Sequence, residues 1–240
     1  MNHSWRRISA ITRKELREYV RNRPVLVAVA IFPLIFLIQP VVLVLKLPTE
    51  VAVQLSQRHL LLYMLAVPIL APGILGGYSV AGERQQESLE PALTTPIRSD
   101  EFLLGKAIAA VVPSVVIAYL VFSLFMGFVL LFAPPGVGSG LLQPGDIAAQ
   151  AILTPLLAAA ATWISVAVST RMSDTRVAQQ LSLLGCMPLV VVTSLVAFDV
   201  IPIQDTPLVP VAVLLLVADV VGWRLVVPLF NRERLITGSR

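Results

Sequence analysis

The chain has 240 residues, of which 57% are hydrophobic and 13% are charged, with 18 Lys and Arg against 14 Asp and Glu. Its mean hydropathy of +0.85 lies far outside the range of soluble domains. The composition therefore indicates an integral membrane protein, and we expect no soluble domain of any size. A chain of this length has room for about six spans of roughly 20 residues each.

Several kinds of chemistry are excluded by missing residues. The sequence has no GxxxxGK[ST] motif, so we expect ATP to be bound elsewhere. The single cysteine, Cys186, lies in an apolar run and indicates neither a disulfide framework nor a cysteine metal site. His3 and His59 are the only imidazoles. We therefore expect no catalytic residue, metal or cofactor in this chain, and no nucleic-acid partner.

Residues 5–22 combine apolar and basic residues at helical spacing. At 100° per residue the two kinds fall on opposite sides, which is typical of a helix lying in the membrane interface near anionic headgroups. A solvated basic arm is the alternative. A cleavable signal is disfavoured because the apolar run begins only after Arg23-Pro24 and reaches spanning length. The apolar side comprises Trp5, Ile8, Ile11, Leu16, Tyr19 and Val20, and the basic side Arg6, Arg7, Arg13, Lys14, Arg17 and Arg21.

Six apolar runs predict an all-α membrane protein with six transmembrane helices in a single domain over residues 1–240. All but Lys46 and Arg58 of the 18 basic residues lie on or near one side of these runs. The excess of Lys and Arg places that side, with both termini and residues 82–106, in the cytoplasm. The predicted spans are 25–45, 60–81, 107–132, 148–169, 181–198 and 208–230.

Small residues recur every three or four positions in two of the predicted spans, which predicts close helix packing. Packing inside one subunit is favoured over a dimer interface or a substrate groove. The residues are Gly73, Gly77 and Ala81, and Ala158, Thr162, Ser165 and Ser169.

The segment 82–106 is charged and marked by proline between two apolar spans. Glu83, Arg84 and Glu87 are predicted to pair where the second span emerges into water. Ser88 suits the N-cap of a short helix, and Ser99 suits the N-cap of the next one. From this pattern alone, a short helix held on two rigid arms and an ordinary cytoplasmic loop are equally good interpretations.

The central segment contains a series of short motifs: Gly82-Glu83-Arg84, Glu87-Ser88-Leu89-Glu90, Leu93, Thr95-Pro96-Ile97 and Leu104-Gly105-Lys106. This series resembles the signature of the ABC-2 type transporter permeases. The family pattern has Gly-Thr where this chain has Glu87-Ser88, and serine serves as a cap as threonine does. Residues 11–25 resemble the amphipathic elbow helix of the family, and residues 230–234 resemble its usual ending.

The resemblance implies a permease subunit of an ATP-driven exporter in the plasma or inner membrane. Two such subunits pair, and each docks a cytoplasmic ATPase subunit that carries the ATP and Mg. In the family, spans one, two and five tend to line the path. The implied partner-coupling residues are Glu87, Ser88, Leu89, Glu90, Leu93 and Thr95, with Arg171 and Arg176 in a second contact at 171–180.

Other functional classes fit the sequence less well than an exporter permease does. An enzyme is disfavoured because Gly138-Ser139-Gly140 has no histidine nearby. An ion-conducting subunit would need polar residues along its spans, and Gln39 and Asp219 are the candidates for a substrate path. The nearest alternative is the permease subunit of the cytochrome c maturation system, linked to haem delivery.

Asp219 lies near the middle of the sixth predicted span. Three interpretations stay open: a protonated and inert group, a partner of Arg224 or another basic residue, or a group on the route of a cationic or proton-coupled substrate. Five residues separate Asp219 from Arg224, which is about 140° around the helix and awkward for pairing.

Overall fold

The computed structural model describes residues 3–46, 60–86, 98–133, 138, 141–198, 200 and 208–230. Every regular element within these ranges is helical, and six helices are long and apolar enough to cross a membrane, which confirms the predicted fold class. The helices are α1 (His3–Arg21), α2 (Arg23–Lys46), α3 (Ala66–Gln85), α4 (Ser99–Phe132), α5 (Pro144–Ser169), α6 (Thr175–Ala197) and α7 (Leu208–Val226). Short 3-10 segments, Leu60–Leu65 and Val227–Phe230, precede α3 and follow α7.

Helix α3 is the centre of the bundle. Of the most apolar stretch of its span, 94% is buried, against 6% of the corresponding stretch of the sixth span. The outer helices present apolar side chains outward, as expected for a surface in contact with lipid tails. The charged residues at the end of α3 therefore belong to the helix that lies at the centre of the bundle.

Small residues bring α3 close to α5 and α6, as their spacing predicts. A Cβ atom on Gly77 would lie 2.9 Å from the Cα atom of Gln179 in α6. The hydroxyl of Ser169, at the end of α5, donates to the carbonyl of Gly77 at 2.7 Å. The hydroxyl oxygen of Ser169 also accepts hydrogen bonds from the backbone N–H groups of Val80 and Ala81, at 3.1 and 3.0 Å. This close approach is made inside one chain.

Helices α1 and α2 are separated by a single residue, Asn22. The N–H of Asn22 donates to the carbonyl of Glu18 at 3.0 Å, and the carbonyl of Asn22 accepts from Leu26 at 3.0 Å. Pro24 lies in the first turn of α2, where a missing N–H costs little because that turn has no internal acceptor. The chain therefore turns directly from α1 into the first span.

Two details of the sequence interpretation are wrong. Arg98, in extended conformation, is the N-cap residue of α4, and Ser99 is the first helical residue. The carboxylate of Glu101 accepts from the N–H of Arg98 at 3.3 Å, so this glutamate satisfies an otherwise free donor. Glu83 does not emerge into water: it is 2% exposed, because α1 and α4 cover it.

Candidate functional site

Both ends of the segment 82–106 are described, and its middle is not. The predicted coupling residues Glu87, Ser88, Leu89, Glu90, Leu93 and Thr95 lie outside the described residues. The end of α3 and the start of α4 hold the remaining motif residues, Gly82-Glu83-Arg84 and Gly105-Lys106. The contacts of these two ends define the site.

Lys106 is the buried centre of an ionic cluster. Its side chain is 0% exposed, and its Nζ lies 2.6 Å from Oε1 of Glu15 in α1. It donates to the carbonyl of Ser79 at 2.7 Å and lies 3.1 Å from Oε2 of Glu83. An ammonium group has three N–H donors, and here three oxygen atoms surround it. Lys106 thus joins α1, α3 and α4 at one point.

A second lysine completes the cluster. Nζ of Lys14, whose side chain is 44% exposed, lies 2.5 Å from Oε1 of Glu83 and 3.4 Å from Glu18. Glu83 therefore lies between Lys14 and Lys106. Glu15, Glu83 and Lys106 are buried and Lys14 is half-exposed, so the four groups together carry two negative and two positive formal charges. Balance matters because an unpaired buried charge costs several kcal/mol.

The electrostatics of α1 follow from this burial. Burial raises the pKa of the Glu15 carboxyl, which Lys106 opposes and the nearby Glu83 reinforces. Burial lowers the pKa of Lys14, but its hydrogen bond and charge interaction with Glu83 outweigh this, so the pKa is raised overall. Lys106 is thus the group that stabilises the ionised form of Glu15 against the cost of its burial.

The first two turns of α4 are attached to α1 by three further contacts. Ser4 donates to Oε1 of Glu101 at 2.5 Å, and Arg7 lies 3.4 Å from its Oε2. Thr12 donates to the carbonyl of Gly105 at 3.1 Å. Together with the contact of Lys106 with Glu15, these contacts fix the start of α4 along about three turns of α1.

Gly105 permits this approach because it has no side chain. A Cβ atom at this position would lie 2.7 Å from Cγ2 and 2.8 Å from Cβ of Ile11, and 3.3 Å from the carbonyl oxygen of Ile8. Separations below about 3 Å require one helix to move. Gly105 therefore sets the distance between α1 and α4, and its neighbour Lys106 fixes their register.

Arg84 ties the end of α3 to the turn between α5 and α6. Its guanidinium donates to the carbonyls of Met172 and Thr170 at 2.9 and 3.1 Å. These carbonyls follow the end of α5, where acceptors lack helical partners. Next to this contact, Thr175 donates to the side chain of Gln85 at 2.9 Å. The planar guanidinium suits such paired acceptors better than an ammonium group does.

The turn that Arg84 binds also carries Arg171 and Arg176. Both side chains are exposed. Asp174 is the N-cap of α6 and accepts from the N–H groups of Arg176 and Val177 at 2.7 and 3.1 Å. The residues predicted for a second cytoplasmic contact thus flank the carbonyls that Arg84 binds. Whether a partner touches them stays a prediction.

Asp219 does not contribute to this cluster. It lies one turn before Gly222, where a Cβ atom would meet Cδ1 of Trp163 in α5 at 2.8 Å. Its Oδ1 and the Nε1 of Trp163 are both buried without a hydrogen-bond partner among the described residues. Arg224 is exposed and forms no ion pair with it in this part of the chain. Gln39 lies in α2, within the first span.

Sequence reasoning found the motif at residues 105–106 but missed its role and missed Glu15 altogether. One signal was present: Glu15, unlike Glu18, falls among the apolar positions 8, 11 and 19 of a mainly basic helix. A carboxylate on a buried helix side needs a cation, and Lys106 supplies it. Within the described ranges, no group of three or more His, Cys, Asp or Glu could hold a metal ion.

The six-span helical bundle, with its ionic cluster at the ends of spans two and three, defines a multi-pass membrane protein. The family model described as ABC-2 family transporter protein matches residues 9–221. The chain therefore belongs to the ABC-2 transporter family and is a membrane permease. No curated protein matches it.

Proposed function

We propose that this chain is the permease subunit of an ATP-driven exporter in the plasma or inner membrane, with both termini in the cytoplasm. It works as a pair of permease subunits, and each subunit docks a separate ATPase on residues 82–106. ATP and Mg belong to that partner. The family membership supports the transport role, and the absence of a GxxxxGK[ST] motif is consistent with ATP binding in another chain.

One observation carries the proposal: both ends of the segment are firmly attached to the bundle. Arg84 holds the end of α3 to the turn at Thr170 and Met172. Lys106 and Glu101 hold the start of α4 to α1. The contacts of Lys106 are buried, and charge-assisted hydrogen bonds in such a setting are short and strong. A push on residues 87–97 would therefore displace α1, α3 and α4 together instead of bending a loose loop.

Docking is tested by co-expression of the permease with a candidate ATPase subunit from the same genome, followed by co-purification. Leu89 and Leu93 lie four residues apart and would form one apolar contact on a helix. We expect Leu89→Asp with Leu93→Asp to abolish co-purification while membrane insertion persists. The control is Val53→Asp with Leu55→Asp, in the loop predicted on the opposite side. Undiminished ATPase recovery with the first pair would refute the docking site.

Transmission is tested separately from docking. In lipid discs that contain permease and ATPase, we expect Arg84→Gln to keep the ATPase bound but to lower the ATP hydrolysis that the permease stimulates by about tenfold. This follows because the end of α3 is released from the turn after α5. Arg224→Gln, an exposed arginine in α7, is the control for charge. Normal stimulation in the Arg84 variant would show that the anchor transmits nothing.

A further inference from the structure

An apolar groove opens at the corner between α1 and α2. It has a volume of about 500 Å³. Leu16 and Val20 of α1 form one wall, and Val25 and Ala30 of α2 form the other. Leu75 of α3 and Ile117 of α4 lie at its base. Volumes of this size are typical of sites for elongated or drug-sized ligands.

A row of arginines borders the groove. Arg17 and Arg21 each follow a groove residue of α1 by one position, which is about 100° around the helix. Their side chains are exposed and form no ion pair among the described residues. They line a second depression on α1, of about 550 Å³, together with the basic residues Arg6, Arg13 and Lys14 and the single carboxylate of Glu18. The apolar groove therefore has a strongly basic rim on one side.

The depth of the groove fits the membrane boundary. Ala30 is seven residues after Arg23, so the groove extends about 10 Å along the first span. Interfacial helices typically lie about 5–10 Å into the boundary between headgroups and acyl chains. Trp5, 58% exposed, and Val20, 68% exposed, lie on the same side of α1 as Leu16. An acyl chain can thus enter the groove while its headgroup stays level with the arginines.

We infer that this corner is a binding site for one anionic phospholipid of the leaflet on the amino-terminal side. One acyl chain fills the groove between α1 and α2, and the phosphate pairs with Arg17 and Arg21. Guanidinium groups suit phosphate because they offer paired donors. A second copy of the chain fits poorly, because a twofold axis would bring two such arginine rows together. The site is independent of ATPase docking.

The wild-type chain provides the first test. The full-length permease, purified in detergent, is titrated with phosphatidylglycerol or with phosphatidylcholine of the same acyl chains, and bound lipid is counted by native mass spectrometry. We expect one phosphatidylglycerol to bind at least tenfold more tightly, with an affinity that falls as salt rises. Equal binding of the two lipids, or no saturable binding of either, would overturn the site.

The second test removes the headgroup contacts. At about 1 kcal/mol per basic residue, Arg17→Gln with Arg21→Gln is expected to weaken phosphatidylglycerol binding by roughly thirtyfold. Phosphatidylcholine binding should not change. Arg171→Gln with Arg176→Gln makes the same charge change at the turn between α5 and α6 and should preserve the preference. An equal loss in both pairs would show that only overall charge attracts the lipid.

The third test fills the groove. Ala30→Trp places an indole where the acyl chain is expected, so retention of both lipids should fall. Val27→Trp, at a 50% exposed position of α2 outside the groove, should retain the lipid. Thermal unfolding without added lipid verifies that both variants fold. If Ala30→Trp proved unstable, the headgroup preference of the wild-type chain would still decide, and full retention by a folded Ala30→Trp would exclude the groove.

Discussion

Nζ of Lys106 lies 2.6 Å from Oε1 of Glu15, although 91 residues separate the two in sequence. Both side chains are at most 1% exposed. Because both charges are out of water, Glu15 depends on Lys106 for compensation, and Lys106 depends on Glu15 and Glu83. This contact makes α1 an integral part of the bundle at the point where the proposed coupling segment rejoins it.

Removal of the central cation should be severely destabilising. Lys106→Met leaves Glu15 and Glu83 buried with too little positive charge, so we expect a loss of about 3–5 kcal/mol in unfolding free energy. Lys14→Gln removes a half-exposed cation and should cost no more than about 1 kcal/mol. Thermal and denaturant unfolding in detergent measures both. Similar losses for the two variants would mean that burial of Lys106 is not what matters.

The cluster should make stability depend on pH in a defined direction. The pKa of Glu15 is raised above its usual 4.5 by burial, so the folded protein binds this proton more tightly than the unfolded protein does. The contribution of Glu15 is therefore fully present below pH 4.5 and is lost as pH rises through the folded-state pKa. The Glu15→Gln variant should not show this loss of stability as pH rises.

The measurement is the unfolding temperature of wild type and Glu15→Gln at several pH values from 4.5 upward. Glu18→Gln, a carboxylate with a 26% exposed side chain on the same helix, is the control. We expect the difference in unfolding temperature between wild type and Glu15→Gln to change with pH, and the control shows how far the loss of any carboxylate on α1 accounts for that change. A constant difference for Glu15→Gln would show that its proton affinity is the same in both states.

Two glycines of α4 offer a matched comparison. Gly105→Ala forces a methyl group against Ile11 and should destabilise the fold by about 1–3 kcal/mol. A methyl group on Gly127 meets nothing within 4 Å, so Gly127→Ala should stabilise the helix by about 0.5–1 kcal/mol. Unfolding in detergent should thus shift in opposite directions. Stabilisation by both substitutions would mean that α1 is free to move away from α4.

Asp219 faces Trp163 of α5, so we expect its charge to be dispensable for transport. Asp219→Asn keeps the size and hydrogen-bonding capacity but removes titration. The free energy of unfolding of the variant should be higher than that of wild type or lower by no more than about 0.5 kcal/mol, since no ion pair is lost among the described residues. Once a substrate is found, transport in liposomes from pH 5 to 8 is the measurement, with Trp163→Phe as the packing control. An altered pH profile would place Asp219 on the transport route.

The membrane class, the helical fold and the six spans were determined by the sequence alone, because spans of about 20 apolar residues are a local property that needs no knowledge of neighbours. The amphipathic pattern of α1 was equally readable. The roles of the individual residues of α1 could not be read from the sequence. Glu15 and Lys106 each look like ordinary charged residues near a membrane surface until the fold brings them together.

Only the tertiary structure decided which charges are buried and which glycine sets a helix distance. Glu83 was predicted in water and is covered by α1 and α4, because a helix end is exposed or buried according to its neighbours. Gly105 and Gly127 belong to the same helix, yet only Gly105 lies against another helix. Such differences depend on contacts between residues far apart in sequence, which hydropathy and spacing do not encode.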